Sequence, residues 1–270
     1  MLHRVVTGAV EAGAGETEAG PSGTLSGVTT GRVVLVHGFT QTGRSWEATI
    51  PNLARRRQVV AVDLPGHGGS AAVRLDFVET VAALGEAGGR GAYAGYSMGG
   101  RLCLRLALDR PDLVTALVLT GASPGLADPD DRADRRRDDD ALAAGIEVDG
   151  TTAFVDRWLR QPLFAGLHPT PADLAARRAN PAEGLAASLR ALGTGAQDPL
   201  WQRLGDLAMP VLLLVGENDL KFAALAEEMA SAIADHTVAR IPGAGHAAHL
   251  ERPAEWTAVV TAFLDTHHAS

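Results

Sequence analysis

Ala92-Tyr93-Ala94-Gly95-Tyr96-Ser97-Met98-Gly99-Gly100 decides how the rest of the chain is read. Small and aromatic residues lead into Gly95-Tyr-Ser-Met-Gly99, and Arg101-Leu-Cys-Leu-Arg-Leu-Ala-Leu108 continues as a helical run with an apolar face. The segment therefore reads as strand, sharp turn and helix. In that context Gly-x-Ser-x-Gly is a nucleophile elbow, with the glycines removing side chains where strand and helix close on each other. The turn would expose the Ser97 hydroxyl above a sheet edge and leave the Met98 N–H near a helix start. A Gly-rich turn with an incidental serine has the same five residues, so the decision rests on an acid and a histidine elsewhere.

Toward the N-terminus, Arg32-Val-Val-Leu-Val36 is an almost continuous apolar run, the pattern of a central parallel strand, and it enters His37-Gly38-Phe39-Thr40-Gln41-Thr42-Gly43. A Gly-flanked loop at the carboxyl end of such a strand is where open α/β sheets bind ligands. Its Phe39 N–H is a candidate oxyanion donor to pair with that of Met98. His37 reads as an orienter of this loop. His3–Val10 is a candidate short strand, and Glu11–Gly31, rich in Gly, Ala, Ser, Thr and Glu, a loose hairpin or flexible start. Ser45–Leu53 is expected to be a first helix and Val59–Val62 a second buried strand. The strand ends in Asp63-Leu-Pro-Gly-His-Gly-Gly-Ser70, whose composition forces a turn. Asp63 and His67 are the rival acid and base, but both suit a turn or loop role better. Leu75–Glu86 should be the next helix.

Beyond the elbow, Ala116–Thr120 is a fourth strong strand, after which strand and helix stop alternating. From Asp128 to about Leu207 only helical and irregular patterns occur, so residues 128–207 are expected to form a helical cap between two parts of a core, 1–127 and 208–270. The cap opens with Asp128–Asp140, seven aspartates and four arginines, a composition suited to a solvated helix laced by opposite charges. Strands return with Val211–Val215 and Thr237–Ile241, alternating with expected helices at Phe222–Ile233 and Pro253–Leu264. Asp219 follows the first of these strands and His246 lies in the Gly-Ala-Gly-His loop after the second, completing the order Ser, Asp, His. His249 competes with His246, but Gly243-Ala-Gly245 gives the backbone freedom to aim the His246 ring. A serine hydroxyl is not ionised at neutral pH and needs an imidazole to take its proton and a carboxylate to fix the imidazole.

Bulk composition narrows the function classes. A formal net charge of −8 in 270 residues, without a dense Lys/Arg block, argues against nucleic acid or an anionic membrane as the main partner. No apolar stretch of spanning length and no signal-peptide pattern is seen, so a cytoplasmic protein without stable membrane insertion is expected. Cys103, the single cysteine, reads as a core residue. No metal-ligand spacing, phosphate loop or dinucleotide fingerprint appears, so no cofactor and no metal are expected. The composition leaves the oligomeric state open.

His37-Gly-Phe39, Asp63-Leu-Pro-Gly-His-Gly-Gly-Ser70, Gly95-Tyr-Ser-Met-Gly99, Gly216-Glu-Asn-Asp219 and Gly245-His246 together resemble the α/β-hydrolase fold family. That resemblance implies a mostly parallel central sheet with helices on both faces and a helical cap inserted before the acid-bearing strand. It does not fix the chemistry, since one triad on this scaffold serves esterases, C–C hydrolases and lyases. A narrower set is Ser123-Pro-Gly-Leu126 with Arg132, Arg135 and Arg136, Trp158-Leu-Arg-Gln-Pro-Leu-Phe164, Arg178-Ala-Asn180, Leu192-Gly-Thr-Gly195 and Asp219-Leu-Lys-Phe222. It resembles the 2-succinyl-6-hydroxy-2,4-cyclohexadiene-1-carboxylate synthase family of menaquinone biosynthesis. The resemblance implies a carbon–oxygen lyase that eliminates pyruvate from an enolpyruvyl precursor, with Ser97, His246 and Asp219 acting as base. It also implies a small anionic carboxylate substrate held by Arg101, Arg135 and Arg178, in a pocket that Tyr96 and Trp158 line. Arg101 in the first turn of the elbow helix fits, because a cation there opposes the helix dipole and an anion above it would remove the conflict. The alternatives are a serine hydrolase of a small ester or of a C–C bond in a dicarbonyl-like compound, and an inactive scaffold that binds a partner through the insertion.

Overall fold

The β-branched and leucine-rich runs form the sheet. The computed structural model describes residues 1–8 and 31–267. Its strands are β1 (Arg4–Thr7), β2 (Arg32–Val36), β3 (Gln58–Val62), β4 (Gly91–Tyr96), β5 (Val114–Thr120), β6 (Val211–Gly216) and β7 (His236–Ile241). They lie in the order β1-β3-β2-β4-β5-β6-β7, all neighbours parallel except the β1–β3 pair. All of β1 falls within the expected first strand, while Ala9 and Val10 of that expectation and nearly all of the loose start lie outside the described residues.

Period-two alternation assigns each residue of a central strand to one of two cores. Val34 and Val36 of β2 pack under α2 (Phe77–Gly88), α3 (Met98–Asp109) and α7 (Leu220–Ala230), whereas Val33 and Leu35 face α9 (Pro253–Thr266) and the buried Trp46. Both faces are therefore covered, which is why these strands read as continuous apolar runs. Cys103 is fully buried in the first core, as its sequence context implies, and burial pushes its thiol up. The Ser45–Leu53 expectation is corrected: the chain makes a 3-10 turn at Gly43–Trp46 and a one-turn α1 at Ile50–Leu53. Pro51 has no N–H with which to continue a helix from Trp46 and instead sits in the first turn of a new one.

Between β5 and β6 every regular element is helical. The long α4 (Pro129–Trp158) is broken at Gly150, whose φ of 78° is outside the helical region, and α5 (Pro171–Arg178) and α6 (Ala182–Leu192) follow. Ala143, Ile146, Phe154 and Val155 of α4 and Leu185, Ala186 and Leu189 of α6 make a third apolar cluster, which Phe39 and Trp158 cover. The N-terminal part of α4 is largely exposed, as its charge pattern requires. The sheet order reverses between β2 and β4, so the loops after these two strands open a crevice at their carboxyl ends, where ligands bind in open α/β sheets. No helix among the described residues is long and apolar enough to cross a membrane.

Candidate active site

The elbow brings Ser97 out of β4 with φ 49° and ψ −110°, a left-handed backbone that only over-determined turns hold at a non-glycine residue. The flanking glycines are required by contact. A Cβ at Gly95 would lie 2.6 Å from the backbone of Gly100, and one at Gly99 would lie 2.3 Å from the Val36 carbonyl oxygen. Strand, turn and helix can close only because both are absent.

His246 reaches this serine from the loop after β7. Its Nε2 accepts from the Ser97 hydroxyl at 3.3 Å, and its Nδ1–H donates to Asp219 Oδ2 at 2.7 Å. The partners set that tautomer. Both His246 and Asp219 are buried, and the other Asp219 oxygen accepts from Phe222 N–H as the N-cap of α7. The Phe222 and Tyr96 rings lie 4.5 and 5.2 Å from the His246 ring and restrict its plane.

The rival groups are spent on structure. His37 donates from Nδ1 to Gly38 O and accepts at Nε2 from Leu64 N–H, and burial lowers its pKa to about 4, so it is neutral. His67 is held in the same way between Pro65 O and Thr40 N–H, and burial, with the nearby His37 ring acting in the same direction, lowers it to about 3. Burial works against the Asp63 carboxylate. The Gly43 and Gly69 amides, His37 and His3 outweigh it and hold the pKa below the ordinary value. His249 is wedged between the Trp46 and Tyr96 rings, 4.4 Å from each, and neither of its ring nitrogens has a hydrogen-bond partner among the described residues. Burial, followed by the Arg177 charge, pushes it well below the ordinary histidine value.

Above the serine, the loop after β2 is tied down at every turn but one. Gly38 N–H donates to Gln41 Oε1, Gln41 N–H to Gly38 O, and Thr40 N–H to His67, which leaves the Phe39 amide out of these internal bonds. Met98, the first residue of α3, has no preceding turn to donate to. Thr40 holds a φ of 68° and is gripped from the insertion: Asn180 Nδ2 donates to its carbonyl at 2.9 Å and Arg177 Nη1 to its hydroxyl at 2.7 Å. Asn180 also accepts from Gly68 N–H, tying the loops after β2 and β3 together.

A pocket of about 150 Å³ opens over Ser97 and His246, and Phe39, Met98, Tyr96, Arg101, Arg135 and Trp158 are in its wall. Its cationic lining is Arg101, Arg135 and Lys221, and among the described residues no aspartate or glutamate lines it. Arg101 is buried with neutral partners only, donating to Gln197 Oε1 at 2.9 Å and Leu192 O at 2.6 Å. Burial, followed by repulsion from Arg135, lowers its pKa to about 10, and the guanidinium is still charged at neutral pH. Arg135 is held from behind by buried Asp139 at 2.8 Å. Trp158 packs 5.4 Å from Phe39 and 5.9 Å from Phe164, and its buried indole N–H has no protein acceptor among the described residues.

Arg178 is not brought there. It pairs with Asp156 at 2.6 Å on the surface and is absent from the pocket wall. Successive helical residues point about 100° apart, and on α5 it is Arg177 that turns inward, to Thr40. Sequence reading missed Arg177, Gln197 and Lys221. Lys221 alone carried a signal, as the only lysine of the chain. A separate cavity of about 290 Å³, between the Gly43–Trp46 turn and α5, contains neither Ser97 nor His246.

Residues 31–253 match a family model described as alpha/beta hydrolase fold. The chain is 36% identical to the 2-succinyl-6-hydroxy-2,4-cyclohexadiene-1-carboxylate synthase of Salmonella newport (strain SL254) over 230 residues, covering 82% of this chain and 89% of that protein. Its structure is similar to that of MenH from S. aureus, with a TM-score of 0.85 at 28% identity over the whole of both chains. It also superposes on an enol-lactonase from Burkholderia xenovorans LB400 with a TM-score of 0.77 at 22% identity, covering 98% of this chain and 96% of that one, a likeness of fold.

Proposed function

The chain belongs to the 2-succinyl-6-hydroxy-2,4-cyclohexadiene-1-carboxylate synthase family of α/β-hydrolase-fold enzymes, and from that premise we propose that it is the pyruvate-eliminating lyase itself. The observation that carries this reading is the pocket wall. In a chain of net charge −8, the wall facing Ser97 carries Arg101, Arg135 and Lys221 and, among the described residues, no carboxylate. A buried cation with neutral partners is costly to hold, and an anionic substrate is the partner that offsets it.

The substrate is 2-succinyl-5-enolpyruvyl-6-hydroxy-3-cyclohexene-1-carboxylate. Ser97 Oγ takes the ring C2 proton beside the succinyl ketone as its own proton passes to His246 Nε2. Asp219 stabilises the imidazolium through Nδ1. The C2–H electron pair runs into the ketone oxygen, where the Phe39 and Met98 amides meet the developing enolate. Collapse of the enolate makes the C2–C3 double bond, moves the C3–C4 double bond to C4–C5 and breaks the C5–O bond. The departing oxygen takes the proton from His246, and enolpyruvate ketonises to pyruvate. No acyl-enzyme forms, and no cofactor is needed because the electron sink is the substrate's own ketone.

Supplying the enolpyruvyl precursor to the purified protein and coupling pyruvate to a dehydrogenase tests this directly. Release well above the spontaneous rate, lost in Ser97→Ala, is expected; release at the spontaneous rate overturns it. The 3.3 Å contact between Ser97 and His246 would equally serve acyl transfer. In that case an aryl ester would give a burst near one equivalent per site, which the lyase reading does not produce.

A further inference from the structure

We infer that Lys221 is the third carboxylate-binding cation of the pocket, the position that sequence reading gives to Arg178. This rests on the lyase reading and adds to it which side chains divide the substrate's charge.

The precursor carries three carboxylates, on the ring, at the end of the succinyl chain and on the enolpyruvyl group. Arg101 and Arg135 supply two cations, and Lys221 is the one other lysine or arginine in the wall around Ser97. Three features set it apart. Of 24 basic residues it is the only lysine, and it stands exposed at the rim of the pocket whose other two cations are arginines. Among the described residues its ammonium has no ion pair, and it lies 5.9 Å from the centroid of the Phe222 ring, which also packs on His246. It is also the second residue of α7, where a cation opposes the helix dipole, and it shares that disfavoured placement with Arg101 in the first turn of α3. Both conflicts are relieved by anions in the same pocket. A compact ammonium on a flexible stem suits a carboxylate that must be held and then let go, whereas the buried guanidinium of Arg101 is fixed in its fork.

Asp219 is the N-cap of the same helix, so Lys221 is anchored two residues from the carboxylate that holds His246. The anion it binds therefore lies on the proton-relay side of the pocket, across from α4.

The experiment uses the full chain and two readouts. With the precursor at low ionic strength, Lys221→Gln should raise KM about tenfold with kcat within about twofold, the equivalent of one charge-assisted contact. Lys221→Arg should restore KM to within about threefold of wild type. Independently, because Lys221 is the only lysine, amine acetylation followed by peptide mass mapping reads its accessibility against the α-amino group as internal control. Pyruvate or the diene dicarboxylate product should slow acetylation of Lys221 and not of the terminus. Protection by pyruvate assigns the leaving group's carboxylate and protection by the diene assigns a retained one. An unchanged KM in Lys221→Gln, or no protection by either product, overturns the inference. Wild-type protein that releases no pyruvate overturns the lyase reading instead, so the two failures are separate.

Discussion

The two walls of the pocket are built on opposite principles. On the reacting wall, Ser97, His246 and Asp219 come from loops at the ends of β4, β7 and β6, and each polar atom of the His246 ring has a partner. On the binding wall, Arg101 and Lys221 sit in first turns of helices and Arg135 on the insertion. Among the described residues two of these cations are in no ion pair, and the third pairs with Asp139 behind it. On the proposed function, the first wall is complete without substrate and the second only with it. A site that holds its chemistry rigid and leaves its charge unbalanced selects its ligand by charge and then has little left to rearrange.

The largest expected effect separates the walls by kinetic signature. Ser97→Ala should lower kcat by about 10⁴-fold, roughly 5 kcal/mol, with KM nearly unchanged, because it removes a group that acts on the reacting proton. Steady-state pyruvate release measures both; a rise in KM of similar size would mean that the walls are not separable.

Arg101→Met should act in the other parameter. A loss of about 3 kcal/mol in kcat/KM, mostly in KM, is expected, because a desolvated carboxylate loses its partner. Thermal melting should meanwhile move little, by the equivalent of about 1 kcal/mol or less, since removing a buried cation with neutral partners offsets the lost contacts. A melting temperature that falls steeply would make Arg101 a structural residue and not a binding one.

The seam between the walls is Asn180. Its amide holds the Thr40 carbonyl and the Gly68 N–H. Asn180→Ala should cost about 2 kcal/mol of stability through three broken side-chain hydrogen bonds and lower kcat about tenfold by loosening the loop that carries the Phe39 amide, with KM held. Chemical denaturation alongside kinetics checks it, and an unchanged kcat would detach the loop from the chemistry.

The smallest effect concerns the scaffold under the reacting wall. His37 has a pKa of about 4 against an ordinary 6.5, and His67 about 3. Between pH 6.5 and these values the unfolded chain takes up protons that the folded chain refuses, so this stability is full above pH 6.5 and is lost as pH falls. At pH 5.5 the loss is about 1.4 kcal/mol for each histidine relative to pH 8. Urea midpoints at the two pH values measure this loss together with that from buried His249, and His37→Asn should reduce the dependence.

By itself the sequence determined the sheet and the reacting wall, because both are local. A buried parallel strand must be apolar throughout, as Arg32–Val36 and Val211–Gly216 are, and an elbow must place glycine where Gly95 and Gly99 meet the backbone, so each leaves its mark within a few residues. Chain order then singles out Asp219 and His246, since each lies in the loop after a strand that follows Ser97 in the chain. Which cations face the pocket was decided only by the tertiary structure. Arg177 and Arg178 are equivalent in sequence, and one turn of α5 sends the first to Thr40 and the second to Asp156. Arg101 depends on Gln197, 96 residues away, for its aim. A helix places neighbouring side chains about 100° apart, so a charge acquires its direction only when the helix is docked, and no short stretch of sequence contains that information.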